Sequence, residues 1–416
     1  MMTRLKIKSK VLILSVLLLI PLDSTSRTIV LCPDSDLQKQ LIYDNVTYLI
    51  QNEFNLDGQT IYLPNKSVLR FFGNGQFFNG TICGNQSKIN AKQRLILNNI
   101  QVEGTWNNEK VFSEWVNLNE NSGSCNFAFS CLMKLCEGNT FTHFYMQEGI
   151  YYVEALYRSA PILLPSNVYW HNKATIKMLP NDLDWYNIVY INKSDNVTID
   201  GGSFVGDALN HIGNTGEWGH GIKCGGATNV TLKNLICSYC WGDGIDLIEG
   251  LDDDNKPSIN CKSISVYNVK CLYNRRQGMS IEAASDVKVS NSEFAYTGQI
   301  KQTPPSAGID IEPWTNNCNK VWNLSFQNCI MHSNKGYDVQ ISGNYLKRND
   351  RLNNNFRFIR CTIDSMLVVR TNGVFINRST ISQELKILKT KNAKLKESAI
   401  SKLSKGIDVS NFHFIK

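Results

Sequence analysis

The sequence has no apolar run long enough to cross a membrane. Its longest such run, Val11 to Leu22, is interrupted by Ser15 and Pro21. It is also shorter than the roughly 20 apolar residues that a membrane-spanning helix needs, and no later stretch reaches that length. We therefore expect no membrane span.

Two further signatures are missing. The thirteen cysteines include one CxxC pair, Cys237 and Cys240, but no second pair and no neighbouring histidine cluster, so no metal site is predicted from them. We predict instead that several cysteines are small buried apolar residues. Basic and aromatic residues do not alternate along any one face, so the net charge of +7 does not indicate a nucleic-acid partner.

The first 27 residues have the form of a secretory signal. Lys6, Lys8 and Lys10 precede the apolar run, and Ser24–Ser26 supplies small residues after it. We therefore predict a signal peptide over residues 1–27 and a secreted, periplasmic or cell-surface protein.

What the sequence does contain is one strand motif in five copies. In each copy a turn residue, usually Gly, precedes an apolar, a variable and an apolar residue, and the copies recur at intervals of roughly 23 to 34 residues. The copies are His220–Cys224, Trp241–Leu247, Gln277–Ile281, Ala307–Ile311 and Tyr337–Ile341. We interpret the Gly as a turn requirement. Self-similarity at this period, built on short strands, indicates a solenoid.

The alternation within each copy predicts which side chains are buried. The two apolar positions form inward columns, and the variable position between them faces outward. The predicted outward residues are Lys223, Asp246, Ser280, Asp310 and Gln340.

A second strand type precedes each Gly-centred strand, as in Val230–Leu232 and Ile264–Val266. An Asn follows this second strand in four coils, and a third apolar column lies three residues after the Asn. The Asn residues are Asn234, Asn268, Asn291 and Asn328, and the column is Cys237, Cys271, Phe294 and Met331. Asn tolerates a left-handed backbone and can bond to the Asn above and below it. One coil therefore carries three strands.

The chain divides into four parts. Residues 28–116 are predicted to form irregular first coils or a small β domain, and residues 117–380 the regular solenoid. Apolar spacing over residues 124–137 predicts a helix that ends near Gly138 and covers an open end of the stack. Residues 381–416 are predicted to be either a C-terminal closure or a solvated tail.

These features resemble the right-handed parallel β-helix of the pectate-lyase superfamily. The Asn ladder and the Gly-Ile-x-Ile strands carry the resemblance, and the segments Asn274–Ile281 and Ala307–Pro313 are similar to β-helix proteins of phage tail appendages and of exported polysaccharide-processing bacterial proteins. The resemblance implies an all-β fold of three-strand coils with an N-terminal capping helix. It also implies a polysaccharide partner and a monomer or a trimer. Many of those proteins carry an Asp-rich segment before the capping helix, where this sequence has Asn119–Ser124.

Stacking the coils places four carboxylates on the outer face of the Gly-centred sheet. Asp246 and Asp310 are two layers apart in one column, and Glu282 and Glu312 are neighbours two residues further along their strands. Like charges on adjacent strands destabilise a sheet. We therefore interpret the group as a catalytic site.

Two chemistries fit these residues. Hydrolysis of a glycosidic bond would use Asp310 or Glu282 as the acid and Asp246 as the base, with a separation typical of inverting enzymes. Elimination from a uronic-acid polysaccharide would use Arg275 or Arg276 as the base and the carboxylates to hold Ca²⁺. The two arginines could instead only neutralise the carboxylates.

A groove for a sugar chain is predicted around the carboxylates. Flat aromatic rings can stack on sugars, and polar side chains can bind hydroxyl groups. The predicted substrate-binding residues are Glu312, His220, Asp243, Trp241, Trp314 and Tyr337, and Trp218 is a further ring nearby. The same groove would also suit a non-catalytic glycan-binding or surface adhesion module.

Overall fold

The structure, a computed structural model, describes residues 27–119, 123–251, 257–313, 321–343 and 354–415. The predicted signal peptide and Trp314 therefore lie outside the described residues, apart from Arg27. Within these ranges no helix is long and apolar enough to cross a membrane.

Seven strands and one short helix form the N-terminal part. The helix is α1 (Leu37–Gln40), and the strands are β1 (Thr28–Val30), β2 (Thr47–Ile50), β3 (Glu53–Asn55), β4 (Thr60–Tyr62), β5 (Val68–Phe71), β6 (Gln76–Asn90) and β7 (Leu97–Trp106). They form one sheet in which every pairing is parallel. β6 is long enough to pair with β3, β4 and β5 in turn.

A short strand, a 3₁₀ turn and the second helix follow. These are β8 (Lys110–Phe112), the turn Ser113–Trp115 and α2 (Asn126–Cys136). The predicted helix is confirmed. It contacts β7 and β8 as well as β11, defined below, through a face that includes Phe129, Leu132 and Leu135. Its role as a cap over an open end stays a prediction.

The remaining strands build two long sheets and one small antiparallel pair. They are β9 (Thr142–Met146), β10 (Ile150–Val153), β11 (Ile162–Leu163), β12 (Val168–Asn172), β13 (Thr175–Met178), β14 (Trp185–Asn192), β15 (Asp195–Asp200), β16 (Ser203–Val205), β17 (Trp218–Gly225), β18 (Thr228–Lys233), β19 (Ile236–Ser238), β20 (Asp243–Ile248), β21 (Gly250–Leu251), β22 (Pro257–Ile259), β23 (Cys261–Tyr267), β24 (Lys270–Leu272), β25 (Gln277–Ile281), β26 (Ala284–Ser290), β27 (Glu293–Ala295), β28 (Ala307–Ile311), β29 (Trp322–Gln327), β30 (Ile330–His332), β31 (Val339–Ser342), β32 (Phe356–Ile359), β33 (Thr362–Val369), β34 (Asn372–Asn377), β35 (Thr380–Leu388), β36 (Lys391–Lys396), β37 (Ala399–Ile400), β38 (Leu403–Lys405) and β39 (His413–Ile415).

The two long sheets are parallel throughout and run the length of the stack. The first has 18 strands, from β10 to β38, and contains all the Gly-centred strands; the second has 12 strands, from β8 to β39. Residues 381–405 belong to strands of these sheets, where β35 pairs with β33, β37 and β38. Each strand pairs with the equivalent strand one coil away, and this pairing defines a right-handed parallel β-helix.

The strand register confirms the predicted inward columns. Ile222 pairs with Ile245, and the column continues through Met279, Ile309 and Val339. All of these side chains are fully buried. The third column also pairs as predicted, because Cys237, Cys271, Phe294 and Met331 are successive partners. Of the twelve cysteines that the structure describes, ten are buried.

The Asn ladder forms the bend between two strands of each coil. All four Asn residues have a left-handed backbone, with φ between 51° and 57°. Asn268 donates to Asn234 at 2.9 Å, and Asn328 donates to Asn291 at 3.1 Å. These bonds satisfy side-chain amides along the surface and help keep successive coils in register.

The Gly in each Gly-centred strand has a different role from the predicted one. None of Gly221, Gly244, Gly278 and Gly308 has a positive φ, so the interpretation as a turn requirement was wrong. A Cβ on Gly278 would lie 2.4 Å from the carbonyl oxygen of Gly308, and one on Gly244 would lie 2.7 Å from that of Gly278. Gly is therefore required because successive backbones approach each other too closely for a side chain.

Candidate functional site

The predicted outward column is in register along five coils. Lys223 pairs with Asp246, Asp246 with Ser280, Ser280 with Asp310 and Asp310 with Gln340. Asp246 and Asp310 therefore lie on one wall, two coils apart. The prediction that the wall faces solvent was wrong, because Asp246 is 1% exposed and Asp310 is 0% exposed.

Neighbouring polar side chains enclose these two carboxylates. Asp246 Oδ2 lies 3.2 Å from Lys223 Nζ, and Ser280 Oγ is 3.4 Å from Asp246 Oδ1. Asp310 Oδ2 accepts from Gln277 at 3.0 Å and from Gln340 at 3.2 Å. Buried polar groups require such partners, so the wall is a packed network rather than an open row of acids.

A second column joins the same face. His220 and Lys223 are three residues apart, and in a regular strand they would point to opposite faces. The structure instead places His220 Nε2 3.6 Å from Asp246 Oδ2 and His220 Nδ1 3.4 Å from Asp243 Oδ2. The close backbone approach at each Gly breaks the alternation, and Asp243 and Gln277 join the face in the same way.

The tautomer of His220 follows from its hydrogen bond. The backbone N–H of Asp243 donates to His220 Nδ1 at 3.2 Å, so Nε2 carries the proton of the neutral ring and faces Asp246. Burial lowers the pKa of His220 to about 3, although the Asp246 charge opposes the shift. His220 is therefore neutral at neutral pH, and its Nε2 has no hydrogen-bond partner among the described residues.

Burial also shifts the carboxylates in this network. It raises the pKa of Asp243 to about 7, although Arg276 opposes the shift. Burial, followed by the charge of Glu312, raises the pKa of Asp310 well above its usual range. Asp243 Oδ1 and Asp310 Oδ1 have no hydrogen-bond partner among the described residues. Both groups are thus stabilised in the neutral form.

Arg276 connects the buried network to the surface. Its guanidinium lies 2.9 Å from Glu217, 3.2 Å from Asp243 and 2.8 Å from Glu312. These opposite charges outweigh burial and raise its pKa. An arginine held by three acids does not act as a base, so the structure does not favour Arg276 in that role.

Glu282 differs from the other acids. It is half-buried, and no hydrogen bond or ion pair joins its carboxyl group to any described residue. Burial raises its pKa well above its usual range, and the charges of Asp246 and Glu312 raise it further. Glu282 is the acid in this cluster that is partly open to solvent and favoured in its protonated form.

Glu312 is the neighbour of Glu282 on the next coil. Its side chain is 25% exposed. It accepts from Arg276 and from Gln277, each at 2.8 Å. The amide N–H of Glu312 also bonds to Ile281, which fixes the end of β28 against the end of β25. A carboxyl group held by Arg276 and Gln277 is therefore the neighbour, on the next coil, of the Glu282 carboxyl group, which is unpaired among the described residues.

Arg275 and Trp241 pack together at the edge of this face. The guanidinium of Arg275 lies 3.7 Å from the centre of the Trp241 ring, and His211 stacks on the ring at 3.8 Å. Trp241 is 1% exposed, so the prediction that its ring stacks on a sugar was wrong. Arg275 donates to the carbonyl groups of Gly216 and Trp241, and burial lowers its pKa.

A hydrogen bond joins two loops beside the site. The loop over residues 206–217 precedes β17, and the loop over residues 296–306 precedes β28. Lys301 Nζ donates to the His211 carbonyl at 2.8 Å. The indole N–H of Trp241 donates to the Thr215 carbonyl at 3.1 Å. Trp241 therefore anchors the first loop.

The remaining predicted residues contribute less. Tyr337 is half-buried, and among the described residues no hydrogen bond or ring contact joins its side chain to the carboxylates. Trp314 lies outside the described residues. In the described part of the chain no three acidic, His or Cys side chains are placed to hold a metal ion. The carboxylates contact Arg276 and Lys223 instead, which does not fit a calcium site.

Sequence reasoning gave no functional role to Lys223, Gln277 or Ser280. These residues lie in the outward positions of the repeat or next to its Gly, so the repeat itself was a usable signal. Glu217 was expected only at the edge of the carboxylate face. A loop brings it to Arg276 across 59 residues of sequence, and no local pattern predicts that contact.

Fold and site together define a β-solenoid of the right-handed parallel type with a carboxylate cluster on one sheet, and the resemblance to parallel β-helix proteins is confirmed. No family model matches the sequence. Two Bacillus subtilis (strain 168) proteins are similar in sequence. Uncharacterized protein YclG is 28% identical over 208 residues, which cover 45% of this chain and 36% of that protein. SPbeta prophage-derived uncharacterized protein YorA is 28% identical over 188 residues, covering 42% and 32%.

The match thus spans about a third of the length of each curated relative. Among solved structures, the A-module of Azotobacter vinelandii mannuronan C-5 epimerase AlgE4 aligns with a TM-score of 0.41 and 13% identity, covering 65% of this chain and 86% of that one. Tailspike gp49 of Acinetobacter baumannii bacteriophage Fri1, a capsular polysaccharide depolymerase, aligns with a TM-score of 0.34 and 15% identity, covering 84% and 56%. At these values the likeness concerns the fold alone.

Proposed function

We propose that this protein cleaves glycosidic bonds in a polysaccharide, with Glu282 as the proton donor and Glu312 as the ionised partner. The observation that carries the proposal is the difference between these two neighbours. Glu282 is half-buried, has no hydrogen bond or ion pair to a described residue and is favoured as the neutral acid, whereas Glu312 is held by Arg276 and Gln277. Pairs of carboxyl groups that differ in this way are typical of glycosidases.

In the proposed reaction Glu282 gives its proton to the glycosidic oxygen as the bond to the anomeric carbon breaks. A carboxylate oxygen of Glu312 bonds to that carbon, and a water molecule activated by Glu282 then releases the sugar. The retaining mechanism requires carboxyl groups roughly 5 Å apart. The position of Glu282 and Glu312 on adjacent coils, directly after the paired residues Ile281 and Ile311, is compatible with that requirement.

This assignment replaces the inverting pair expected from sequence. Asp246 is 1% exposed and ion-paired with Lys223, so it is poorly placed to activate a water molecule. Asp246 instead adds negative charge beside Glu282 and helps to keep that group protonated. The proposal includes export of the protein, because residues 1–27 have the form of a secretory signal. We expect the protein to be either a monomer or a trimer.

A non-catalytic glycan-binding module is the second candidate. It is favoured by the burial of Asp246 and Asp310 in a network of paired groups. Such a network could serve only to shape the wall of a binding groove. Elimination is less well supported, because Arg276 is bound by three carboxylates.

The test is a cleavage assay on the purified protein with polygalacturonate, mannuronan and a neutral glucan. We expect new reducing ends without unsaturated products, and a loss of about 10³-fold in Glu282→Gln. Glu293→Gln is the control, because Glu293 has a 26% exposed side chain on the same sheet outside the cluster. Unsaturated ends would select a lyase. Binding without cleavage would select the module, and full activity in Glu282→Gln would disprove the proposed roles.

A further inference from the structure

Two tryptophans pair on successive coils of the 18-stranded sheet. Trp185 of β14 is the partner of Trp218 of β17. Trp218 is 42% exposed. Trp241, which precedes β20 on the next coil, is instead covered by Arg275 and His211. Trp218 therefore presents an open ring where Trp241 does not.

Trp185 holds Trp218 in place. The two rings are 5.5 Å apart and inclined at 42°. The guanidinium of Arg158 lies 4.5 Å from the centre of the Trp185 ring, and the Arg158 amide donates to the Trp185 carbonyl at 2.8 Å. Cation–π and aromatic contacts of this kind fix ring orientation. Trp218 is thus supported from one side and open on the other.

The tryptophan pair is continuous with the carboxylate cluster. Lys223 Nζ is 5.7 Å from the Trp185 ring centre and 3.2 Å from Asp246. Tyr190 pairs with Lys223 one coil away. Lys223 therefore links the tryptophan pair to the carboxylates.

We infer that Trp218 is the stacking surface of a saccharide-binding subsite, and that the substrate is a long chain bound obliquely across the Gly-centred sheet. The inference rests on the proposed function. The CH face of a pyranose ring is apolar and packs on indole, while hydroxyl groups reach the flanking polar side chains. The strand register places Trp218 two coils from Glu282 and about seven residues from it along the strand direction, roughly 25 Å by strand geometry. A chain that reaches both therefore extends well past the bond to be cleaved.

The experiment compares Trp218→Ala with Trp322→Ala. Trp322 is 40% exposed but belongs to β29 of the other long sheet, so it is a matched control. The probe is polygalacturonate, mannuronan or the neutral glucan, whichever the wild-type protein cleaves. For Trp218→Ala we expect KM to rise about tenfold with kcat nearly unchanged. Trp218→Phe should recover part of the loss, and Trp322→Ala should match the wild type.

Binding by Glu282→Gln, measured by titration calorimetry with the same polymers, separates this inference from the proposed function. A weaker affinity when Trp218→Ala is added supports the subsite, even if no polymer is cleaved. An unchanged affinity in Trp218→Ala, or an equal loss in Trp322→Ala, overturns the subsite while leaving catalysis by Glu282 intact. Failure of the wild-type protein to bind any of the three polymers overturns both.

Discussion

At the residue scale, one backbone hydrogen bond determines the state of the cluster. The Asp243 amide donates to His220 Nδ1, which leaves Nε2–H facing Asp246. A protonated His220 would lose that bond and would place a charge in a buried site that already contains Lys223 and Arg276. The folded structure therefore requires His220 to be neutral, and its free energy of unfolding should depend on pH.

We predict that His220 makes the protein less stable in acid. Its pKa is about 3 when folded, against 6.5 for the ordinary side chain. Below pH 6.5 the unfolded chain binds a proton at His220 that the folded chain does not bind. The free energy of unfolding therefore decreases as the pH is lowered from 6.5 to about 3. The free energy of unfolding, measured in urea, should drop by about 2 kcal/mol more between pH 7 and pH 5 in the wild type than in His220→Gln.

The comparison between variants is needed because Asp243 acts in the opposite direction. Its pKa of about 7 lies above the ordinary value, so its contribution to stability is lost as pH rises through 7. His413→Gln is the control, since His413 is exposed on β39. Parallel stability curves for the wild type and His220→Gln would contradict the neutral state of His220.

At the scale of elements, the Gly-centred strand explains both the fold and the site. Gly lets adjacent backbones approach closely, and the resulting break in alternation turns His220 and Lys223 to the same face. The strand columns were predictable from sequence because Ile222, Ile245 and their partners repeat with a period of two within each strand. The break was not predictable, because it depends on the contact of Gly with the next coil rather than on its own φ.

We predict that Gly278→Ala is strongly destabilising. The new Cβ would lie 2.4 Å from the Gly308 carbonyl oxygen, so β25 and β28 would have to separate. The free energy of unfolding in urea should fall by about 2 to 3 kcal/mol. Gly123→Ala is the control, since nothing lies within 4 Å of its added Cβ. A similar small effect of both substitutions would show that the backbones can move apart at little cost.

At the scale of the whole molecule, each coil contacts mainly the coils before and after it. The pairings of β25 are with β20 and β28, and those of β28 are with β25 and β31. Sequence identified this stack and its carboxylate wall because both follow from the repeat. It could not show how the loops pack beside this wall, because their contacts join segments far apart in sequence, as Lys301 with His211 and Glu217 with Arg276 do.

We predict that a cavity in one coil lowers the local stability of that coil and of the coils next to it, but not of distant coils. Ile309→Ala removes a fully buried side chain from the central column and should cost about 3 kcal/mol. Because a solenoid is stabilised by nearest-neighbour contacts, amide exchange followed by mass spectrometry should accelerate in β25, β28 and β31. Exchange in β2 and β5 should stay unchanged.

Ile50→Ala is the reciprocal variant, because Ile50 is fully buried in β2 and pairs with Phe71 of β5. It should accelerate exchange in β2 and β5 and leave β28 protected. Two opposite local patterns would follow if each coil depends on its neighbours alone. Uniform acceleration in both variants would instead mean that the whole stack, including the N-terminal sheet, unfolds as one cooperative unit. In that case damage at any coil would disturb the geometry of Glu282 and Glu312.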